Sequence, residues 1–428
     1  LSNPFRTFVR AAHRVGLVSL DQAISSVTNL AASLIAAHAL PPAEFGAFGI
    51  VFATYMLVIF LVRAATGEVL LLSGEDHAKR ESTTNLVIAL AGGLAGGVAI
   101  AAAALAVGGP TGRGLLPLAI GLAGLTLQDA IRYVGFATRR VRLALISDLL
   151  WLGLMLAFFA PALWRTLDIG EVSALWVASG VASAIGTLPF ARLERPSTAR
   201  MRGWLRAKRG LMLNLVVDRG LVSGSQQGVI YIIALLIGLQ GNAAYRAAQI
   251  VMGPVNVLAA GIMTSTVPYL VRIWRDRPSH LITRAAAIAA ATGVGFLILT
   301  LTIAAMPDSI GRPLIGRSWA LGAPVLPIMA VIVSVQAPNF AALGALRAMG
   351  GAGSALAIRI LVVPATLAAV AIAALSGSIA AVMWTQAGCV AVATTLWWLL
   401  ARRVQRRALA ERPRGDGAGA PAVLAAEE

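Results

Sequence analysis

The sequence predicts an all-α polytopic membrane protein with about 12 transmembrane helices in two six-helix lobes around a central cavity. Three observations predict it. Of 428 residues, 58% are hydrophobic and only 12% are charged, too few charges to cover a water-exposed surface but suited to a bilayer. Apolar runs of near 20 residues recur along the chain. Between them, Lys and Arg crowd into every second connection. The mean hydropathy of +0.81 agrees. Composition alone argues against a soluble enzyme, a disordered chain and a disulfide-stapled secreted domain. The single cysteine, Cys389, has no partner for an intrachain disulfide or a cysteine zinc site.

In chain order the apolar spans are 18–40, 46–72, 86–108, 114–136, 143–163 and 171–191, then 213–238, 245–270, 285–306, 320–342, 355–375 and 379–400. Each approaches the ~20 residues needed to cross a hydrocarbon core. The third is rich in Ala and Gly, and Ser376-Gly377-Ser378 alone separates the last two. The string RLERPSTARMRGWLRAKRG divides the spans six and six. Residues 1–191 are therefore expected to form an N-terminal lobe, 192–212 a basic cytoplasmic linker that touches anionic head groups, and 213–400 a C-terminal lobe. Residues 401–428 read as a basic, then disordered, tail. Sliding the second half back by about 199 positions places Leu239 on Leu40, Tyr245 on Gly46 and Pro268 on Val69, as expected for two parallel halves related by an axis along the membrane normal.

The formal charge is +17, from 35 Lys+Arg and 18 Asp+Glu. In a soluble chain that balance would suggest nucleic acid; here position decides otherwise, and no nucleic-acid partner is expected. One set of connections and termini holds Arg6, Arg10, Arg14, Lys79, Arg80, Arg139, Arg140, Arg142, the run from Arg192 to Arg209, Arg272, Arg275, Arg277, Arg284, Arg347 and the run from Arg402 to Arg414. The other holds Arg113, Arg165, Arg312 and Arg317. The positive-inside rule then puts both termini in the cytoplasm. The first span is long and carries Asp21, unlike a cleavable signal peptide.

Ionised groups inside the spans cost about 2.5 kcal/mol or more each, so each needs a cavity, a partner or an interface. They are Asp21, Arg63, Glu68, Asp129, Arg132, Asp148, Asp218, Arg219 and Arg359, all in the cytoplasmic half of their spans. Snorkelling explains some equally well. Arg63 lies roughly 25 Å along its helix from the outer end, and a meeting of Arg63 with Asp21 on the neighbouring helix is expected, as a site or as a structural ion pair. Asp21, Ser25, Thr28 and Asn29 share a helix face, with Gln22 and Ser26 beside it. Ser223, Ser225, Gln226 and Gln227 do the same less regularly, and Asn256 and Thr264 sit eight apart. Such faces line a lumen or bind helices to one another. No histidine pair, phosphate-cradling loop or nucleotide motif occurs, so no catalytic residue, metal, cofactor or ATP hydrolysis is expected.

The run LDQAISSVTNL at 20–30, PPAEFGAFGI at 41–50, Tyr55, and LVRAATGEVLLL at 61–72 resembles the first two spans of polysaccharide flippases of the oligosaccharidyl-lipid exporter group. That group belongs to the superfamily that also holds the multidrug and toxin extruders. The resemblance gives weight to Asp21, Gln22, Ser26, Asn29, Phe45, Gly46, Arg63 and Glu68; Val69 and His38 depart from the usual pattern. It implies a flippase or exporter that moves a polyprenyl-diphosphate-linked oligosaccharide across the cytoplasmic membrane by alternating access. Membrane lipids, a polysaccharide polymerase and glycosyltransferases would be its partners. Arg63, Arg132, Arg219 and Arg359 are then the expected diphosphate ligands. Gln22, Ser26, Asn29 and Gln226 would meet the saccharide, and Asp21, Glu68 and Asp218 would couple transport to an ion. Two alternatives stand beside this: an ion-coupled multidrug exporter of the same superfamily, which would use those carboxylates, and a non-transporting scaffold of a polysaccharide assembly complex.

Overall fold

Hydrocarbon offers backbone amides no water, so each apolar run has to close its hydrogen bonds internally, as helix. The computed structural model describes residues 4–160, 166–191 and 193–411, with side chains from Leu20 onward except at 256, 257, 260, 263–265 and 352–355. No strand occurs among the described residues. The first six spans become α1 (Pro4–Ala39), α2 (Pro42–Ala65) continued by the short α3 (Gly67–Leu71), α4 (Glu75–Val107), α5 (Gly109–Ala137), α6 (Val141–Phe159) and α7 (Ile169–Thr187). The next six become α8 (Thr198–Leu236), α9 (Leu239–Val251) with α10 (Gly253–Asp276), α11 (Leu281–Ala304), then α12 (Asp308–Ile315), α13 (Trp319–Gly322) and α14 (Leu326–Ala348), then α15 (Ala352–Ala374) and α16 (Ile379–Glu411).

Several helices run beyond their apolar spans into the basic segments. The expected linker 192–212 is helical from Thr198 onward as the first turns of α8, with the Ser197 hydroxyl capping the Arg200 amide at 3.4 Å. α1 begins well before residue 18, and α16 continues past residue 400. Hydropathy marks only the part of a helix that lies in hydrocarbon, and nothing in these flanks breaks the backbone pattern. The tail 412–428 lies outside the described residues, as do the side chains of Arg6, Arg10, Arg14, Asn256 and Thr264.

Nine helical segments among the described residues are long and apolar enough to cross a membrane. The other three of the twelve are α1, α8 and the α9–α10 pair, which carry most of the polar positions that the sequence singles out. The packing of the first lobe recurs in the second. α4 packs on α5, α5 on α7, α6 on α7, α1 on α6 and α2 on α5; correspondingly α11 packs on α14, α14 on α16, α15 on α16, α8 on α15 and α10 on α14. Adding six to each span number converts one set into the other.

Alternation of the helices gives the bundle a basic end and a far end. At the basic end Arg139 pairs with Glu75 at 2.7 Å, Trp204 donates to Glu81 at 3.0 Å and Gln405 donates to the Pro278 carbonyl at 2.7 Å. At the far end Glu44, from the PPAEF string, accepts from the Ile169 amide at 3.1 Å at the start of α7, whose Asp168 and Glu171 form a capping box. In between, Phe48, Phe52, Tyr55, Trp151 and Trp176 form the aromatic heart of the first lobe. Tyr55 and Trp176 meet edge to face at 4.9 Å, an arrangement that adds about 0.5–1.5 kcal/mol beyond area burial.

The lobes close on each other at the far end. A Cβ at Gly46 would lie 1.9 Å from the Leu239 carbonyl oxygen, so only glycine permits this approach of α2 to α9. Asn242 Nδ2 donates to the Gly46 carbonyl at 2.7 Å, and His38 Nε2 donates to the Pro313 carbonyl at 2.8 Å.

Candidate functional site

The charged residues of the first lobe form one buried network. Arg63 grips Asp129 with both arms of its fork, Nε to Oδ2 at 2.9 Å and a terminal nitrogen to Oδ1 at 2.7 Å. The Phe60 and Tyr133 rings lie 5.0 and 5.3 Å from its guanidinium carbon. Arg132 reaches Asp21 at 2.8 Å, Asp148 at 3.0 Å and Asp129 at 3.3 Å, and its side chain is only 5% exposed. Gln128 donates to Asp148 at 2.9 Å and to the Ser147 hydroxyl at 3.1 Å. Helix rotation decides these partners: α1 packs on α6 and brings Asp21 to Arg132, so the expected meeting of Asp21 with Arg63 does not occur. Three carboxylates face two guanidiniums, and Asp21 Oδ1 and Asp148 Oδ2 have no hydrogen-bond partner.

Between the lobes the two faces of the first lobe behave differently. α2 runs against the second lobe along its length, from Gly46 beside Leu239 through the Thr54 and Tyr231 hydroxyls at 2.9 Å. α1 touches the second lobe through its last third: Leu30 beside Gly253, Ser33 with Arg246, and Ala37 and His38 beside Gly316. No described hydrogen bond or ion pair links α1 to α8.

Arg246, on α9, stands in this interface. It donates to the Ser33 hydroxyl at 3.0 Å and to Gln249 at 3.3 Å, its guanidinium lies 4.3 Å over the Phe52 ring, and its Nε has no partner. No carboxylate lies within ion-pair distance of it among the described residues. Sequence reasoning passed over Arg246 because it is the second residue of the eighth apolar span, where a basic residue reads as a helix end. The available signal was that it is the one span arginine on the far side of the membrane from the rest.

A third group lies near the basic end. Arg219 of α8 crosses to Glu68 of α3 at 2.9 Å, Arg359 of α15 pairs with Asp218, and the Trp397 ring backs Arg359 at 5.7 Å. Gly67 lets α3 lie against α5 there, since a Cβ would sit 2.5 Å from the Tyr133 ring. Arg347, exposed at the end of α14, follows Leu346, which packs in one cluster with Trp397, the ring behind Arg359, and with Ile358 next to Arg359; Arg347 has no carboxylate in ion-pair range among the described residues. All four arginines expected to bind phosphate thus have a carboxylate partner in the chain.

The polar stripe on α1 divides. Asp21 and Thr28 are buried within the lobe, whereas Gln22 is exposed and Ser26 and Asn29 are half-buried. Ser26 and Thr28 return their hydroxyl protons to the carbonyls of Gln22 and Ile24. On α8, Gln226 is exposed while Gln227 and Ser223 are buried. No group of three or more His, Cys, Asp or Glu placed to hold a metal ion occurs among the described residues.

No family model and no curated protein matches the chain. Solved structures do. The chain is similar to the inward-facing conformation of a multidrug resistance MATE family transporter of the MOP superfamily, with TM-score 0.63 and 15% identity over 94% of this chain and 100% of that one. An outward-facing conformation of such a transporter aligns with TM-score 0.55 and 14% identity over 92% of this chain and 95% of that one. A MOP superfamily transporter from Pyrococcus furiosus, described as having a binding pocket of reverse polarity that suggests a different function, aligns with TM-score 0.57 and 14% identity over 92% and 95%. At such identity the likeness is one of fold: a multi-pass, all-α membrane protein of two six-helix lobes.

Proposed function

We propose that this chain is a flippase that exports a polyprenyl-diphosphate-linked oligosaccharide across the cytoplasmic membrane by alternating access, for cell-surface polysaccharide biosynthesis. Arg246 is the observation that carries the proposal. A permanent cation between the lobes, about 10 Å along its helix from the far end, with an unpaired Nε and no counter-charge, is costly unless an anion or water completes it. A guanidinium fork matches two phosphate oxygens at once. The basic end then faces the cytoplasm, as do both termini, and the closed far end leaves the site open toward the leaflet where such lipids are made. The saccharide would lie along Gln22, Ser26, Asn29 and Gln226, with the prenyl chain in lipid. Arg63 and Arg132, neutralised by buried carboxylates, would hold the lobe together and position α1. Glycosyltransferases would act before it and a polymerase after it.

The test is transport of a lipid-linked oligosaccharide by purified protein in proteoliposomes. Arg246→Ala should abolish it and Arg246→Lys should retain part, because lysine keeps the charge without the fork. Full transport by folded Arg246→Ala removes the proposal.

A second function, ion-coupled multidrug export, is favoured by the first-lobe network. Its carboxylates outnumber its guanidiniums and leave two buried oxygens unpartnered, which suits a bound proton; the similar structures described as multidrug transporters favour it too. Proton-driven efflux of a cationic dye that is lost in Asp21→Asn, with no saccharide transport, would select it over the flippase.

A further inference from the structure

We propose that Arg219, Arg347 and Arg359 form a receiving site for a diphosphate-bearing lipid headgroup at the basic mouth, and that Glu68 is a built-in competitor which the headgroup displaces from Arg219. The proposal rests on the flippase function above and names where its substrate is first held.

Three features of the cluster lead to it. The first is unused donor capacity. Arg219 meets both oxygens of Glu68 through Nε alone, at 2.9 and 3.1 Å, so its two terminal nitrogens have no partner among the described residues. Arg359 uses one terminal nitrogen on Asp218, and Arg347 uses none among the described residues. A diphosphate presents several oxygens to such a set of forks, each contact a charge-assisted bond.

The second is charge. Three guanidiniums face two carboxylates, and one of those carboxylates, Glu68, belongs to the other lobe. When the lobes part along the seam between α2 and α8, Glu68 leaves with its lobe and the site changes from an excess of one positive charge to two. Affinity for an anion therefore rises in the parted state, and by linkage the anion favours parting by the same factor.

The third is accessibility. The Arg219 side chain is 43% exposed, against 5% for Arg132 in the first-lobe network. With Arg219 open to water and Glu68 15% exposed, this pair is better screened and exchanges more readily than those of Arg132 with Asp21 and Arg63 with Asp129, whose carboxylates are 0% and 7% exposed. The Trp397 ring behind Arg359 fixes that guanidinium without consuming a donor.

The full-length protein in phosphatidylcholine nanodiscs provides the test, with undecaprenyl diphosphate in the disc or inorganic pyrophosphate in the buffer as probe. Spin labels at Leu72 and Leu213, in a Cys389→Ser background, report the separation of the lobes. Arg347→Ala should weaken diphosphate binding about tenfold, and Arg347→Gln, which removes the charge but keeps a polar, unbranched stem at the helix end, should do the same. Glu68→Gln should tighten binding severalfold and lengthen the label distance before any ligand is added, and undecaprenyl diphosphate should lengthen it in the parent. Parent-like affinity in both Arg347 variants, or no tightening in Glu68→Gln, overturns the site. Pyrophosphate binding that follows this variant pattern while undecaprenyl diphosphate does not bind overturns the lipid assignment in favour of a free phosphate ligand. If Arg246→Ala transports normally and this pattern holds, the flippase function fails and the site stands; if Arg246→Ala stops transport while the Arg347 and Glu68 variants bind like the parent, the site fails and the function stands.

Discussion

The first-lobe network and the cluster at the basic mouth use the same groups, aspartate or glutamate against arginine, under opposite conditions. In the first, Asp21, Asp129, Asp148, Arg63 and Arg132 lie within one lobe and all but Arg63 are nearly sealed, with Arg132 5% and Asp21 0% exposed. In the second, Arg219 and Glu68 come from different lobes and Arg219 is 43% exposed. Burial makes the first network hard to open, since removal of one partner leaves an uncompensated charge in a medium that cannot solvate it. Exposure makes the second exchangeable. Charge inside a membrane span is therefore no guide to substrate contact until its partners are known; an unspent donor is the better guide, and Arg246, Arg347 and the terminal nitrogens of Arg219 have one.

The comparison breaks most easily at Arg132. Arg132→Ala should cost about 3–5 kcal/mol, because three buried carboxylates lose their shared cation, and should appear as a large fall in the thermal unfolding midpoint in detergent. A fall no greater than that of Arg219→Ala would erase the distinction between the two clusters. Arg63→Lys should cost less, on the order of 1–3 kcal/mol, since it keeps the charge but gives up one of two parallel charge-assisted bonds to Asp129; the same unfolding measurement reads it.

Asp21→Asn sharpens the comparison through the charge count. It brings the first network to two carboxylates against two guanidiniums with the shape unchanged, so stability should move by less than about 1 kcal/mol. A loss as large as that of Arg132→Ala would mean that the excess negative charge is already neutralised by a bound proton. The smallest effect is expected from Arg219→Ala, within about 1 kcal/mol for an exposed pair, and it should shrink further between low salt and 0.5 M salt as the Debye length shortens. Measured side by side, the salt dependence should vanish for the Arg132 variant and persist for this one.

The twelve spans, their alternation, the two lobes and the list of most charges that need explanation were legible along the chain. Each follows from the bilayer: hydrocarbon selects apolar runs of fixed length, forces them into helix, and sorts the arginines to one side. Gly46 and Glu44 stood out in the resemblance or its strings without their tasks, which are a backbone approach between lobes and an acceptor at the start of α7. The partners were not legible. A helix turns about 100° per residue, so whether Asp21 meets Arg63 or Arg132 depends on how α1 is rotated and on its packing against α6, and neither is recorded in local hydropathy. For the same reason Arg246 passed as an ordinary helix end until the lobes were placed around it. Sequence by itself determined which residues enter the membrane, because the solvent imposes that on each segment separately. Only tertiary structure decided which arginines are spent on carboxylates and which keep donors free, because pairing requires two segments to be brought to the same place.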